Sequence, residues 1–359
     1  AFFLFVIRKL AISAAIPTHS HMGASQDQPQ NLLSLDAIIE GLAKPMARLD
    51  LFFQSQIESF EPEIRELVTY TFNYSGKRLR PILTFFAGAA AQGELSDDLI
   101  RGAAVVEMTH LATLVHDDIL DDADLRRNVP TIFKKHGSHV SVLLGDAIFA
   151  HALYVAAQFP TTEVCQVVSL ATQRVCSGEI SQTFQRGNSE LSLEAYYRII
   201  NLKTAELFDA AAYIGAYLAG YEPELCNGIR SFARHLGIAY QMYDDVADML
   251  GNEERLGKTL GTDLQTGKFT LPLLLLLEKL STEDAADLKQ RIAADPLAVH
   301  DTVIELLDSQ QIFADVKTYF LQELSKAETV LEPCRKLPAY TSLQALSSFI
   351  RAQIDRYIP

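Results

Sequence analysis

From Leu32 onward, apolar residues recur every three to four positions with little interruption, the spacing that gathers them on one helix face. Leu35, Ile38, Ile39, Leu42 and Met46 form a first stripe, and Ile64, Leu67 and Val68 continue it. Long helices are predicted over 99–120, 138–157, 163–186, 193–219 and 225–250. Shorter ones follow over 272–280, 282–293, 297–308, 312–332 and 340–356. Ser96 before Asp97 and Asp98, and Ser192 before Glu194, have N-cap chemistry: a hydroxyl accepts an orphan amide, and acidic residues face the positive helix end. There is no period-two pattern of useful strand length and no solenoid repeat. The expectation is an all-α, single-domain bundle of long, mostly antiparallel helices. Its two largest loops, 121–137 and 251–271, each begin where a helix ends in acidic residues.

The beginning of the chain departs from this pattern. The run AFFLFVI precedes Arg8 and Lys9, the reverse of a secretory signal's order, and is too short to span a bilayer. Met22 is a plausible start, residues 1–27 are expected to lie outside the fold as an N-terminal extension, and 28–359 to form one domain. A membrane-surface anchor is the alternative use of the apolar run. No later segment resembles a transmembrane helix, and the apolar stretch 271–280 is short enough to be a buried core helix.

Composition narrows the function. Of 359 residues, 48% are hydrophobic, enough for one large core or two small ones. Eighteen glycines and 13 prolines leave few turns, which suits long helices. A formal charge of −14 argues against a nucleic-acid partner, since duplex affinity comes largely from neutralising phosphates. A phosphate-bearing substrate would need a local basic cluster or metal ions. Cys165, Cys176, Cys226 and Cys334 form no CxxC pair and are expected to be buried thiols in a reducing compartment.

Two aspartate clusters supply the chemistry: Asp117-Asp118-Ile119-Leu120-Asp121 and Asp244-Asp245-Val246-Ala247-Asp248. Both are DDxxD. Residues i and i+4 share a helix face, so Asp117 and Asp121 can address one ion, with Asp118 on the neighbouring stripe. Carboxylates at a helix C-terminus oppose the dipole and each other, so a cation must offset them. Oxygen-only ligation with partial hydration suits Mg²⁺. An EF-hand is excluded, because the residues after Asp117 lack the sixth-position glycine and the terminal glutamate. Basic residues accompany both clusters: Gly76-Lys77-Arg78-Leu79-Arg80 and Arg126-Arg127 for the first, Arg255, Gly257-Lys258 and Gly267-Lys268 after the second. His110 lies two turns before Asp117, and Lys203-Thr204 interrupts an apolar helix. In an acidic chain this points to a site for two diphosphates, one held through metals, the other by Arg and Lys.

These motifs, in this order, resemble the trans-isoprenyl (polyprenyl) diphosphate synthase family, over nearly the whole chain from about residue 35. The GGKRxRP element is Ser75-Gly76-Lys77-Arg78-Leu79-Arg80-Pro81, its first glycine replaced. The first aspartate motif runs from Asp117 to Arg127, the KT pair is Lys203-Thr204, and the second motif leads with Gln241. The tail is Gly257-Lys258, Asp263, Gly267-Lys268 and Thr270-Leu271-Pro272. The resemblance implies an isoprenoid-synthase fold with a central cavity. Its activity would be Mg²⁺-dependent head-to-tail (1′-4) addition of isopentenyl diphosphate to an allylic diphosphate. Three Mg²⁺ are implied, with Asp117, Asp121 and Asp244 as direct ligands. Asp118, Asp245 and Asp248 would hold metal-bound water or orient the ligands. Arg126, Lys203 and Lys258 would bind the allylic diphosphate, with Thr204 and Gln241 lining the reacting carbons. Lys77, Arg80, His110 and Arg127 would bind isopentenyl diphosphate. It also implies a homodimer in the cytoplasm, with no integral membrane segment and a membrane-surface contact for product release.

Chain length would be set at the fifth residue before the first motif, Ala112, where a bulky aromatic in the family stops short products. Small Ala112 and Thr113, with Met108 and Val105 one and two turns further, leave the path open. Leu144, Ile148 and Phe149 are facing candidates. The expected product is longer than geranylgeranyl; a farnesyl or geranylgeranyl synthase is the alternative. A class I terpene cyclase would replace the second motif by an Asn/Ser/Glu triad, and a non-catalytic subunit usually loses one aspartate motif. Everything requires the two acidic helix ends to face one cavity.

Overall fold

The computed structural model describes residues 35–73, 76–88, 96–250 and 261–358, with side chains from residue 41 onward. The N-terminal extension, the side chains of Leu35, Ile38 and Ile39, and Ser75, Arg255, Gly257 and Lys258 lie outside the described residues. The chain is helical as its periodicity requires. In order come α1 (Leu35–Ile57), α2 (Arg65–Asn73), α3 (Leu79–Ala87), α4 (Asp97–Leu120), α5 (Ile132–Ala156) and α6 (Glu163–Phe184). After α7 (Leu193–Ile200) and a π-turn (Asn201–Ala205) come α8 (Glu206–Leu218) and α9 (Pro223–Leu250). The C-terminal helices are α10 (Thr262–Gln265), α11 (Leu271–Lys279), α12 (Thr282–Ala294), α13 (Pro296–Ser309), α14 (Ile312–Leu331) and α15 (Ala339–Ile354). The described strand structure is one two-residue pair, Leu125–Arg126 with Val129–Pro130.

Both expected N-caps form. Ser96 Oγ accepts the Leu99 amide at 3.1 Å, and Ser192 Oγ that of Ala195 at 3.1 Å. Ser96→Ala should cost about 1 kcal/mol, read as a lower urea midpoint at unchanged slope.

The core is one cluster reaching from Leu42 to Ile358. α4 lies at its centre, packed against α5, α3, α8 and α1. It buries residues all round, as a helix apolar on every side must. The 271–280 segment is core: Leu271 to Leu276 are buried.

Three expectations change. The helix predicted over 193–219 is two helices joined by the π-turn. Cys176 is exposed and Cys165 only half-buried, whereas Cys226 and Cys334 are buried; all four are free thiols. Cys176 falls on a part of α6 that packing leaves exposed, which periodicity alone does not distinguish from the buried part. Finally, α5 is long and apolar enough to cross a membrane by length and composition, although no such segment is expected from the sequence. Its apolarity has two destinations: Leu144, Ile148, Ala152 and Val155 are buried, while Leu143 and Tyr154 face outward.

Candidate active site

α4 is apolar until its last turn and then presents its aspartates. Asp121 caps it, its N–H returning to the Asp117 carbonyl at 2.9 Å. Carboxylates crowded at a negative helix end recruit cations. Asp118 accepts from Arg126 Nε at 2.7 Å. Asp121 Oδ1 accepts from both Arg186 Nη2 and Lys268 Nζ at 3.0 Å. Asp117 alone of the three has no side-chain hydrogen bond or ion pair among the described residues. Burial pushes its carboxyl up to about 6, against the pull of Lys203. Burial also raises Asp118, outweighing Arg126. At Asp121 burial acts the same way, but Lys268, Lys203 and Arg186 outweigh it and hold the carboxyl below its ordinary value.

The next turn of chain aims two arginines. The strand pair closes through Arg127 and Asn128, both left-handed (φ 55° and 63°). The Arg127 guanidinium then lies against Gly76, where a Cβ would collide with it. Arg80, from α3, is half-buried and stacks over Phe208 at 5.1 Å, with its buried Nε without a partner among the described residues. Lys77 stands 5.7 Å from the Tyr243 ring on α9. Between these cations, α4 contributes buried Glu107, whose Oε2 has no partner, and His110. Burial, reinforced by Arg80, Arg127 and Arg126, pushes the His110 imidazole well below its ordinary value, so it is neutral at pH 7. Burial likewise raises Glu107, against the pull of Arg78, Arg80 and Arg127.

α9 carries the second cluster on its inner face, with Asp245 and Asp248 buried. Asp245 accepts from the Tyr196 hydroxyl at 2.6 Å and the Gln241 amide at 2.9 Å. Thr204 Oγ1 donates to Gln241 Oε1 at 2.6 Å, which ties the KT pair to the second motif. Lys203 reaches Glu179 at 3.3 Å and Gln182 at 3.2 Å. Burial pulls its ammonium down, but Glu179, Asp117, Asp263 and Asp121 together hold it above its ordinary value. Asp248 accepts from Thr262 Oγ1 and the Asp263 amide, both at 3.1 Å.

One residue joins the halves. Lys268 Nζ contacts Asp121 at 3.0 Å and Asp263 at 3.5 Å, and Asp263 is the residue whose amide binds Asp248. The two acidic helix ends therefore face the same space. Among the described residues, no three His, Cys, Asp or Glu side chains already cage an ion. The donors nevertheless suit a hard cation: they are all carboxylate oxygens, and half-buried Asp117 has no side-chain hydrogen bond or ion pair among the described residues.

The structure thus gathers Asp117, Asp118, Asp121, Asp245, Asp248, Lys203, Thr204, Gln241, Arg126, Arg127, Arg80, Lys77 and His110 around one region, with Asp244 half-buried beside them. Lys268, counted by the sequence among the basic residues after the second cluster but given no role, joins them, as do Arg186, Tyr196 and Glu179, which the sequence did not single out. Lys268 had a signal, since its Gly-Lys pair repeats that of Lys258; the others had none. Ala112, Met108 and Val105 are fully buried on one α4 stripe that continues to His116. The His116 ring lies over Gly145 and 5.9 Å from Phe149 on α5, so this stripe faces the helix expected to oppose it. Leu144 and Ile148 are buried there. Thr113 is half-buried and turns its hydroxyl back to the His110 carbonyl at 2.7 Å.

Comparison with known proteins agrees. A family model described as Polyprenyl synthetase matches residues 61–307. Octaprenyl diphosphate synthase of Escherichia coli (strain K12) is 36% identical over 260 residues, 72% of this chain and 80% of that protein. The all-trans-nonaprenyl-diphosphate synthase (geranyl-diphosphate specific) of Rhodobacter capsulatus is 31% identical over 319 residues, 89% of this chain and 97% of that one. A crystal structure of polyprenyl synthase from Caulobacter crescentus CB15, complexed with calcium and isoprenyl diphosphate, superposes with a TM-score of 0.82. Its identity is 30%, covering 90% of this chain and 99% of that chain.

Proposed function

The chain belongs to the polyprenyl synthetase family, and on that premise we propose that its two aspartate motifs share Mg²⁺ with the diphosphate of an allylic substrate. It is a prenyltransferase that adds isopentenyl diphosphate head-to-tail to an allylic diphosphate and makes an all-trans polyprenyl diphosphate longer than geranylgeranyl. The observation that carries the site assignment is the Lys268 bridge from Asp121 to Asp263 and thence to Asp248.

In this reading Asp117, Asp121 and Asp244 hold the metal, three ions with substrate bound, and Asp118, Asp245 and Asp248 orient them. Mg²⁺ supplies Lewis-acid stabilisation of the departing diphosphate. Lys203 and Arg126 bind the allylic diphosphate with their fixed positive charge, joined by Lys258. Charge developing on the leaving oxygens meets cations already in place, which lowers the barrier to C–O ionisation. Thr204 and Gln241, hydrogen-bonded to each other, line the reacting carbons. Lys77, Arg80 and Arg127 hold the diphosphate of isopentenyl diphosphate, and neutral His110 completes that pocket as a hydrogen-bonding partner. The double bond attacks the allylic carbon, and the released pyrophosphate takes the proton lost from the adduct. The buried stripe Ala112, Met108 and Val105 keeps water from the cation and accepts the growing chain.

Gly76→Ala tests the isopentenyl pocket. The new methyl displaces the mobile end of Arg127, not backbone, so melting should be unchanged. The KM for isopentenyl diphosphate should rise about tenfold, the low end of a lost charge-assisted contact. The KM for the allylic partner should stay constant.

The same reading takes 28–359 as one synthase domain, supported by the continuous core, and the protein as a homodimer. Support for the dimer is the outward apolar face of two neighbouring helices: Leu143 and Tyr154 on α5, Leu170, Ile180 and Phe184 on α6. A cytoplasmic location fits four unpaired cysteines.

The direct test is incubation of the purified protein with farnesyl diphosphate, radiolabelled isopentenyl diphosphate and Mg²⁺. The expected result is incorporation of several labelled units, abolished by EDTA and restored by Mg²⁺. Pyrophosphate release without incorporated label would make it a cyclase, and neither would make it a subunit that needs a partner; each overturns the reading.

A further inference from the structure

A π-turn holds one residue more than an α-turn, makes poorer hydrogen bonds, and persists where its surroundings enforce it. Here the turn Asn201–Ala205 carries Lys203 and Thr204, two residues of the proposed allylic site. We propose that Arg234, with Gly178 and Gly237, forms a clamp that sets the shape of this turn and thereby aims Lys203 and Thr204; these three are positioning residues. The inference rests on the prenyltransferase reading above.

Arg234 spans the turn. Its Nη1 donates to Asn201 Oδ1 at 2.9 Å and to Glu206 Oε1 at 2.8 Å, the first residue of the turn and the residue just after it. Its Nη2 and Nε donate to Asp209 Oδ2 at 2.9 and 3.2 Å, one turn into α8. The guanidinium addresses these three acceptors from three separate nitrogens in one plane, a spread that the single nitrogen of a lysine ammonium does not reproduce. Glu206 and Asp209 are buried, and Arg174 (3.1 Å) and Arg230 (2.7 Å) complete their pairing. Buried carboxylates of this kind are kept at a desolvation cost, so hydrophobic replacement would be the simpler way to stabilise a helix junction.

The two glycines press on the turn from opposite helices. A Cβ on Gly178 of α6 would lie 2.6 Å from the Lys203 backbone nitrogen. One on Gly237 of α9 would lie 2.8 Å from Ala205 Cα. In both cases the obstacle is backbone, which cannot swing aside. Arg230, Arg234, Gly237, Gln241 and Asp245 follow one another at three- and four-residue steps along a single face of α9. The stripe that clamps the turn is thus the stripe that receives Thr204 through Gln241.

Arg234→Lys and Gly178→Ala test the clamp against mere charge balance. In Arg234→Lys, kcat should fall about 100-fold, the scale of an ångström-sized misplacement. The KM for isopentenyl diphosphate should stay within threefold, because Lys77, Arg80 and Arg127 are untouched. Amide hydrogen exchange should speed up for residues 201–207 and stay unchanged in α4. Gly178→Ala should give the same kinetic pattern. If Arg234→Lys retains wild-type kcat and exchange, the arginine only neutralises Glu206 and Asp209 and the clamp is wrong. The same holds if Gly178→Ala is fully active, or if both substrate KM values rise together. The exchange measurement needs no turnover, so an unaltered protein that fails to incorporate label would sink the prenyltransferase reading and leave the clamp to be judged by exchange alone.

Discussion

Asp117→Ala is expected to lower condensation by at least ~10³-fold, the scale of losing one preorganised electrostatic group, without destabilising the metal-free protein. The two halves of that expectation have one cause. Asp117 is half-buried, has no side-chain hydrogen bond or ion pair among the described residues, and has its carboxyl pushed up to about 6 by desolvation. A partly desolvated carboxylate with no hydrogen-bond donor costs folding energy, so its removal does not weaken the free protein while it deprives the bound state of a proposed ligand. An aspartate that also carries ion pairs in the free protein behaves differently. Asp121, tied to Arg186 and Lys268, would lose both stability and activity on truncation. Label incorporation at saturating Mg²⁺, beside thermal melting in EDTA, separates the cases. Activity above a tenth of wild type would remove Asp117 from the metal site.

Ala112→Phe should redirect the product to four isoprene units or fewer, with turnover within a few-fold of wild type. One helical turn rises about 5.4 Å, close to one isoprene unit, so each turn of α4 left open admits roughly one more. Ala112, Met108 and Val105 lie on one stripe in successive turns, and a phenyl ring at the first closes access to the others. Stability supplies a second readout. Forcing a ring into close-packed core costs about 1–3 kcal/mol, whereas a ring entering a channel costs little. Chromatography of the dephosphorylated product, with the melting temperature, decides the matter. Unchanged product length would refute the assignment, and a large loss of stability would show that Ala112 is packed core.

Neighbouring features at the same site differ in how far sequence could reveal them. The N-caps Ser96 and Ser192 depend on hydroxyls and amides three residues apart, and both form as expected. The aspartate motifs are legible for the same reason: helix geometry fixes the relation of i to i+3 and i+4. Lys268 was visible as a basic residue near an acidic cluster, but its bond to Asp121 crosses 147 residues and depends on how α4 and the loop after α9 pack. The Arg234 network had no local signature, because its acceptors lie on a different helix, 25 to 33 residues away.

The sequence by itself determined the helices, their caps, the two DDxxD runs and the basic groups beside them, since each follows from short-range steric and hydrogen-bonding rules along one chain segment. Tertiary structure decided what those segments do to one another. Among the described residues it left Asp117 without a side-chain hydrogen bond or ion pair while Asp118 and Asp121 gained cations, and it broke the predicted 193–219 helix at a π-turn and put Cys176 and the outer face of α5 at the surface. These outcomes turn on burial and on the charges brought up by other helices. Periodicity reports that a helix has an apolar face; packing alone decides what that face meets.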